Sequence, residues 1–208
     1  MDIDKYGEDL NIEPLHAWIR TNGIRKTASA YLQLDAWDGE YIVAIGDGYW
    51  KVGTQKNKTV LFLEKGEIIT FNCLPPLSNL DYFKYETLST STYYIVALEK
   101  IFEQHEDIGL LRCVYHAVAN NAQKIIYNLS ALHEGNAYRE VKMAIEWLYA
   151  LPVEIKRNYS AISFILETTT VSRSHALSIL KSLRQGGYIV ISGSGHLIKI
   201  EKKLPLSY

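Results

Sequence analysis

The chain has little cysteine. Cys73 and Cys113 are the only two among 208 residues, and they do not form a CxxC pair. Two thiolates alone cannot ligate an iron–sulfur cluster or a structural zinc, both of which use four ligands. We interpret both residues as buried thiols, with a regulatory disulfide between them as the alternative.

Long hydrophobic runs are also absent. The longest clean one, "YYIVAL" at 93–98, is the length of a strand, far below the roughly 18 residues of a membrane span. The start, "MDIDKYGEDLNIEP", is acidic and polar, unlike a signal or transit peptide. We therefore expect a cytoplasmic protein without a membrane partner.

Catalytic signatures are missing as well. The sequence contains no GxSxG, P-loop, GxGxxG or HExxH motif, and the glycines of "GDGYWKVG" are typical of hairpin turns. We predict no catalytic residues, no metal site and no cofactor. An enzyme with a cupin-like β-roll is the alternative, and bound metal in the purified protein would favour it.

The charge is unevenly distributed along the chain. Residues 139–208 contain 10 Lys/Arg and 5 Asp/Glu, a net of +5, whereas residues 1–138 contain 12 and 18, a net of −6. A change of sign between the two parts suggests that the carboxyl-terminal part binds a polyanion.

The first half has a β pattern after a short helix at "EPLHAWIR". Strings such as "EYIVAIG", "TVLFL" and "STYYIVAL" are rich in β-branched and aromatic residues and alternate with turn residues. No helical insert separates them, which favours a closed antiparallel roll over a layered α/β sheet. The predicted class is α+β, with an amino-terminal antiparallel β-roll.

A long helix follows, ending at Gly135-Asn136. Its apolar residues recur at helical spacing and form one stripe that also includes a polar residue. We predict that the stripe pairs with a second copy, with Asn121 fixing the register; packing against the chain's own roll is the alternative. The predicted dimerisation residues are Leu111, Val114, Val118, Asn121, Ile125, Leu129 and Leu132.

The carboxyl-terminal pattern predicts two capped helices and a hairpin. Ser160 caps "AISFILET", whose Ile162, Ile165 and Leu166 we expect to face a core. Ser172 caps a second helix with Ala176, Ile179, Leu180 and Leu183 on its apolar face, and Gly186-Gly187 ends it. "YIVIS-GSG-HLIKI" then predicts a hairpin.

Helix, turn, helix and hairpin together form a winged helix-turn-helix, whose second helix contacts base edges in the major groove of DNA. Arg173 suits bidentate pairing with guanine, and serines near a helix start suit phosphates. A protein-interaction module of the same fold is the alternative. The predicted DNA-binding residues are Ser172, Arg173, Ser174, Ser178, Lys181, His196 and Lys199.

The segment "VSRSHALSILKSLRQGGYI" resembles the "SRxTVxRxLKxLxxxGxI" signature of Crp/Fnr-superfamily transcription regulators. Ser172-Arg173, Leu180-Lys181 and Leu183 match it, and "EKGEIITF" is similar to the Gly-Glu turn of that family's roll. The resemblance implies a roll at 1–104, a dimerisation helix at 105–135 and a winged domain at 136–208. It also implies a homodimer on near-palindromic double-stranded DNA, with RNA polymerase as a further partner.

Some positions differ from the family pattern. Ser174 stands where many members have Glu, Ser178 where many have Arg, and Thr169-Thr170 replace an apolar-Gly pair in the turn. We therefore expect an operator unlike the family's common half-site. Length and character are most similar to the enterobacterial YaiV/IprA branch, which is linked to oxidative-stress resistance.

The resemblance also raises the question of an effector. Members that bind a cyclic nucleotide hold its phosphate with an Arg soon after the Gly-Glu turn. No Arg occurs between Arg25 and Arg112 in this sequence, and Lys84 is the only cation in the segment "LPPLSNLDYFKYETLSTSTYY", where that Arg is expected. We predict no response to cyclic nucleotides. A haem ligand from His16, His105 or His116 is an alternative to structural roles for these residues.

Overall fold

The computed structural model describes residues 11–34, 40–54, 58–70, 83–132 and 136–206. Cys73 and Gly135 lie outside these residues. The chain divides into two compact units, Met1–Lys56 with Val60–Ile126 and Asn57–Thr59 with Tyr127–Tyr208. Within the described ranges, none of the helices has the length and apolar character needed to cross a bilayer.

Among its described residues, the first unit contains a roll of short strands and three helices. The strands are β1 (Ile24–Ala28), β2 (Gln33–Leu34), β3 (Tyr41–Asp47), β4 (Trp50–Thr54), β5 (Thr59–Leu63), β6 (Ile68–Ile69), β7 (Phe83–Thr87) and β8 (Ser91–Ala97). The helices are α1 (Glu13–Asn22), α2 (Leu98–Phe102) and α3 (Ile108–Leu132), the last of which continues into the second unit.

In the part of the roll that the structure describes, the strands form two sheets of four, in the orders β1-β8-β3-β6 and β2-β7-β4-β5. β8 pairs antiparallel with β1 and β3, and β7 pairs antiparallel with β2 and β4. Trp50 of one sheet meets Tyr93 of the other edge to face, with ring centroids 5.1 Å apart. Burial raises the pKa of the Tyr93 phenol. The predicted antiparallel roll is therefore confirmed.

The roll's core continues into the helices. Leu15 and Ile19 of α1 and Leu110, Cys113 and Ala117 of α3 belong to one buried apolar cluster with residues of β3, β6 and β8. His16 is buried beside this cluster, and its Nε2 lies 3.0 Å from the carbonyl oxygen of Ile45. This contact gives His16 a structural role. Among the described residues, no group of three or more His, Cys, Asp or Glu is arranged to hold a metal.

Asn121 lies on the side of α3 that faces the roll. It is 2% exposed, and its Nδ2 donates to the carbonyl oxygen of Ile68 at 2.7 Å and to Oγ1 of Thr70 at 2.9 Å. A side chain held in this way cannot set the register between two copies of α3. The prediction for Asn121 is corrected. Asn121 attaches α3 to its own roll, because the buried oxygens of Ile68 and Thr70 require a hydrogen-bond donor.

We expect Asn121→Ala to lower the free energy of unfolding of the roll by about 1–3 kcal/mol, because two buried acceptors lose their donor. Urea denaturation, monitored by tryptophan fluorescence, measures the change in the free energy of unfolding. Gln123→Ala, an exposed position on the same helix, is the matched control and should cost about 0.5 kcal/mol or less. Equal stability of the two variants would contradict the structural role.

The second unit is a helical body with a two-stranded wing. Its elements are α4 (Ala137–Ala150), α5 (Val153–Lys156), α6 (Ala161–Thr168), α7 (Arg173–Gln185), β9 (Ile189–Ile191) and β10 (Leu197–Ile200). β9 pairs antiparallel with β10. Asn136 caps α4, accepting from the backbone N–H groups of Tyr138 and Arg139 at 3.0 and 3.2 Å.

Phe164 is at the centre of this body. It is fully buried, and the rings of Trp147 and Tyr159 meet it edge to face at 5.7 and 5.2 Å. The buried face of α6 is thus Ala161, Phe164, Ile165 and Thr168. Ile165 faces the core as predicted, whereas Ile162 and Leu166 are only half-buried, because Phe164 and its aromatic partners fill the interior and turn the helix toward themselves.

Candidate nucleic-acid interface

Two serine caps position the helix-turn-helix. The Ser160 side chain accepts from the backbone N–H of Ser163 at 3.1 Å and starts α6. The Ser172 side chain accepts from the backbone N–H of His175 at 3.4 Å and starts α7. Each hydroxyl satisfies a donor that the first helical turn leaves without a partner. Gly187, with φ of +67°, follows α7 in the left-handed conformation that ends helices.

The buried face of α7 orients its polar face. Ala176, Ile179, Leu180 and Leu183 are at most 5% exposed and face the contacts of α7 with α4, α6 and β9. The structure places Arg173, Ser174, Ser178 and Lys181 in the exposed part of the helix. These side chains therefore share a surface open to a large ligand, as a recognition helix requires.

The turn between α6 and α7 is built from threonines. The Thr169 hydroxyl donates to the carbonyl oxygen of Ile165 at 2.7 Å and accepts from the backbone N–H of Val171 at 3.3 Å. The Thr170 backbone N–H and hydroxyl both donate to Oε2 of Glu140, each at 2.9 Å. Glu140 lies on α4 and is 5% exposed. A buried carboxylate thus holds the Thr169-Thr170 turn.

We expect Glu140→Ala to lower the free energy of unfolding by about 2–3 kcal/mol, because Thr170 loses two hydrogen bonds to a charged acceptor in a buried place. Thermal or urea unfolding measures the change. Glu146→Ala removes the same charge from an exposed position of the same helix and should cost about 0.5 kcal/mol or less. A loss no greater than that of the control would show that the turn forms without Glu140.

The last two predicted DNA-binding residues, His196 and Lys199, lie in the wing and have different surroundings. His196 is half-buried, and its Nδ1 lies 2.9 Å from the carbonyl oxygen of Tyr159, which attaches the wing to the helical body. Lys199 is exposed and pairs with Glu201 at 3.0 Å. Contacts of both residues with DNA stay predictions. A surface ion pair of this kind is weak and can exchange for a phosphate.

Charge favours a polyanion on this unit. Residues 139–208 have a net of +5, and two of their acids are already engaged, Glu140 in the turn and Glu201 with Lys199. Arg184, Lys202 and Lys203 add exposed cations that the sequence analysis did not select. The sequence signal that could have identified them is their position: Arg184 directly follows the last apolar residue of α7, and Lys202 and Lys203 follow the hairpin.

α3 has an apolar seam, defined by helical spacing, that is exposed at several positions. Ile108, Tyr115 and Ala122 are exposed, and Ile108 and Tyr115 are 70% and 69% accessible. With the residues between them they form a strict alternation of three- and four-residue steps, the spacing of a coiled coil. We call this set the α3 seam; its members are Ile108, Leu111, Tyr115, Val118, Ala122, Ile125, Leu129 and Leu132.

The α3 seam differs from the predicted dimerisation stripe at five positions. Val114 packs against the roll cluster and Asn121 donates to the backbone of its Ile68, which places both on the roll side of α3. Leu111 is half-buried against the same cluster and belongs to the seam by its spacing. Tyr115 and Ala122 take their places in the repeat, and Ile108 extends it by one step. Two sets at three- and four-residue spacing share Leu111, Val118 and Ile125, and spacing alone does not show which of them faces the roll.

Residues 137–206 match the family model described as winged helix-turn-helix DNA binding. No curated protein matches the chain. Among solved structures, a c-di-GMP-responsive global regulator of Xanthomonas campestris aligns with a TM-score of 0.70 at 11% identity, covering 90% of this chain and 99% of that one. A cyclic nucleotide-binding domain-containing protein of Listeria monocytogenes aligns with a TM-score of 0.66 at 13% identity, covering 90% and 96%.

A Crp/Fnr-family transcriptional regulator of Eubacterium rectale also aligns, with a TM-score of 0.62 at 10% identity, covering 91% of each chain. At such identities the likeness shows the fold. The chain therefore has the Crp/Fnr-regulator fold: a β-roll, a long helix and a carboxyl-terminal winged helix-turn-helix of the DNA-binding type.

Proposed function

We propose that this protein is a DNA-binding transcription regulator of the Crp/Fnr type that acts as a cytoplasmic homodimer. The observation that supports it most is the exposure of Arg173, Ser174, Ser178 and Lys181 on a capped recognition helix. Arg173, in the first turn of α7, is placed to reach a guanine edge, while the serines and Lys181 bind phosphates beside it. The proposal includes no catalytic step.

Dimerisation is proposed through the α3 seam. Its residues extend from 108 to 132, which at 1.5 Å per residue is about 36 Å. A parallel pair of such helices buries the exposed Ile108 and Tyr115 and relates two winged domains by a twofold axis. The operator is then a near-palindrome with half-sites about one DNA turn, or 10 base pairs, apart.

The finer features of the proposal depend on the sequence alone. Lack of response to cyclic nucleotides is supported by the absence of arginine between Arg25 and Arg112. Membership of the YaiV/IprA branch, a role in oxidative-stress control and contact with RNA polymerase are supported only by the family resemblance. Isothermal titration with cyclic AMP and cyclic GMP should give no binding heat; saturable heat with either would contradict that feature.

Selection from a random duplex pool tests the central proposal. The full-length protein should enrich a near-palindromic sequence, and fluorescence anisotropy should show its affinity falling steeply between 50 and 200 mM salt, by about a thousandfold for six phosphate contacts. A pool that shows no enrichment would reject the proposal. Retention on heparin that salt does not weaken would instead favour a winged domain that binds protein.

A further inference from the structure

Leu177 is an exposed apolar residue on the recognition helix. It is 46% accessible, whereas Leu180 and Leu183 of the same helix are 5% and 1% accessible. The other exposed residues of α7 are polar or charged: Arg173, Ser174, His175, Ser178, Lys181, Arg184 and Gln185. Isolated exposed leucines are common on protein surfaces. Exposure alone therefore does not assign a binding role to Leu177, and its position on the helix is the relevant observation.

The helical repeat explains why Leu177 is not part of the core. At 100° per residue, the buried residues Ala176, Ile179, Leu180 and Leu183 lie within an arc of about 100°, and Leu177 lies roughly 60° beyond the edge of that arc. The apolar face of α7 is complete without it. A leucine here therefore leaves 46% of its surface accessible, as hydrocarbon exposed to water.

Its neighbours on the helix surface are hydrogen-bonding groups. Arg173 precedes Leu177 by four residues, Ser174 precedes it by three, and Lys181 follows it by four, the spacings at which helical side chains are adjacent. All three are exposed. The surface thus has an apolar centre bordered by cations and a hydroxyl.

The major groove presents one apolar group among its base edges. The edges of guanine, cytosine and adenine show only donors and acceptors, whereas thymine adds a C5-methyl group. An aliphatic side chain that enters the groove between phosphate- and guanine-binding residues can bury its surface only against that methyl. A leucine offers no hydrogen bond to any other edge.

We propose that Leu177 is a specificity-determining residue that packs against the C5-methyl group of a thymine in each half-site. This inference rests on the proposed function, because it requires α7 to lie in the major groove. It assigns the base preference at one operator position to this chain's own residue, beside the short Ser174 and Ser178.

Deletion of the methyl group alone tests the contact. The duplex enriched by the wild-type protein is resynthesised with deoxyuridine in place of each thymidine in turn, symmetrically in both half-sites. Burying one methyl contributes about a fourfold gain in affinity, so substitution of both copies should weaken wild-type binding about fifteenfold at one position. Leu177→Ala should bind the thymidine and deoxyuridine duplexes equally at that position.

Val153→Ala is the matched control, because Val153 is an exposed aliphatic residue on α5 of the same unit. It should retain the full difference between the two duplexes. Thermal unfolding of Leu177→Ala should match that of the wild type, which excludes a folding defect.

The outcomes separate the two proposals. An enriched duplex that binds equally well with deoxyuridine at every position, or that contains no required thymine, overturns the role of Leu177 and leaves the regulator proposal standing. A thymidine preference that persists in Leu177→Ala also overturns it. Failure to enrich any duplex rejects the regulator proposal, and this inference with it.

Discussion

Arg173→Ala is expected to weaken binding to the selected operator by about tenfold or more per half-site. Arg173 is exposed in the first turn of α7, where its guanidinium can form two hydrogen bonds with a guanine, a contact that contributes about 1–3 kcal/mol of base discrimination. Fluorescence anisotropy on the operator and on duplexes altered at each base pair measures both affinity and discrimination. Preference for one base pair should be lost, and the others retained.

The control for Arg173→Ala is Arg157→Ala, which removes the same charge from an exposed position after α5. It should leave base preference unchanged. Lys181→Ala should weaken all duplexes to a similar extent and reduce the salt dependence, as loss of a phosphate contact does. Unchanged affinity and preference in Arg173→Ala, with a normal unfolding curve, would contradict the assignment of α7 as the recognition helix.

Tyr115→Asp combined with Ala122→Asp is expected to convert the protein to a monomer. Two carboxylates in a coiled-coil seam would face their copies across the twofold axis, and burying such unpaired charges costs several kcal/mol. Both positions are exposed in the protomer, so its fold should persist. Sedimentation velocity measures the state, and operator affinity should fall by more than a hundredfold because one half-site contact is lost per complex.

Gln123→Asp is the control for the seam variants. It places the same carboxylate one position after Ala122, on an exposed side of α3 outside the seam. The dimer and the operator affinity should both remain. A dimer that persists when both Tyr115 and Ala122 are Asp would contradict the α3 seam and would indicate another interface.

The elements with local signals were predictable. Ser160 and Ser172 cap the helices they were expected to cap, and the buried face of α7 is Ala176, Ile179, Leu180 and Leu183, as its spacing indicates. In the roll, alternating β-branched and aromatic strings between turn residues correspond to the strands. Each of these features depends on residues close together in the sequence.

The features that depend on distant residues were not predictable. Glu140 meets Thr170 thirty positions away, and Asn121 meets Ile68 across fifty-three. A polar residue on an apolar stripe has the same pattern whether it faces its own roll or a second chain. The orientation of α6 depends on Trp147 and Tyr159, which lie outside the helix. Helical periodicity gives the width of a face but not the direction in which it packs.

The bond between Glu140 and Thr170 has a consequence for how this sequence can diverge. Loss of the acid leaves both the backbone N–H and the hydroxyl of Thr170 without their acceptor, whereas replacement of the threonine removes only the hydroxyl, because every residue except proline keeps the backbone N–H. A change at position 140 is therefore costlier than a change at position 170. Among descendants of this chain, the acid at position 140 should persist through changes at position 170.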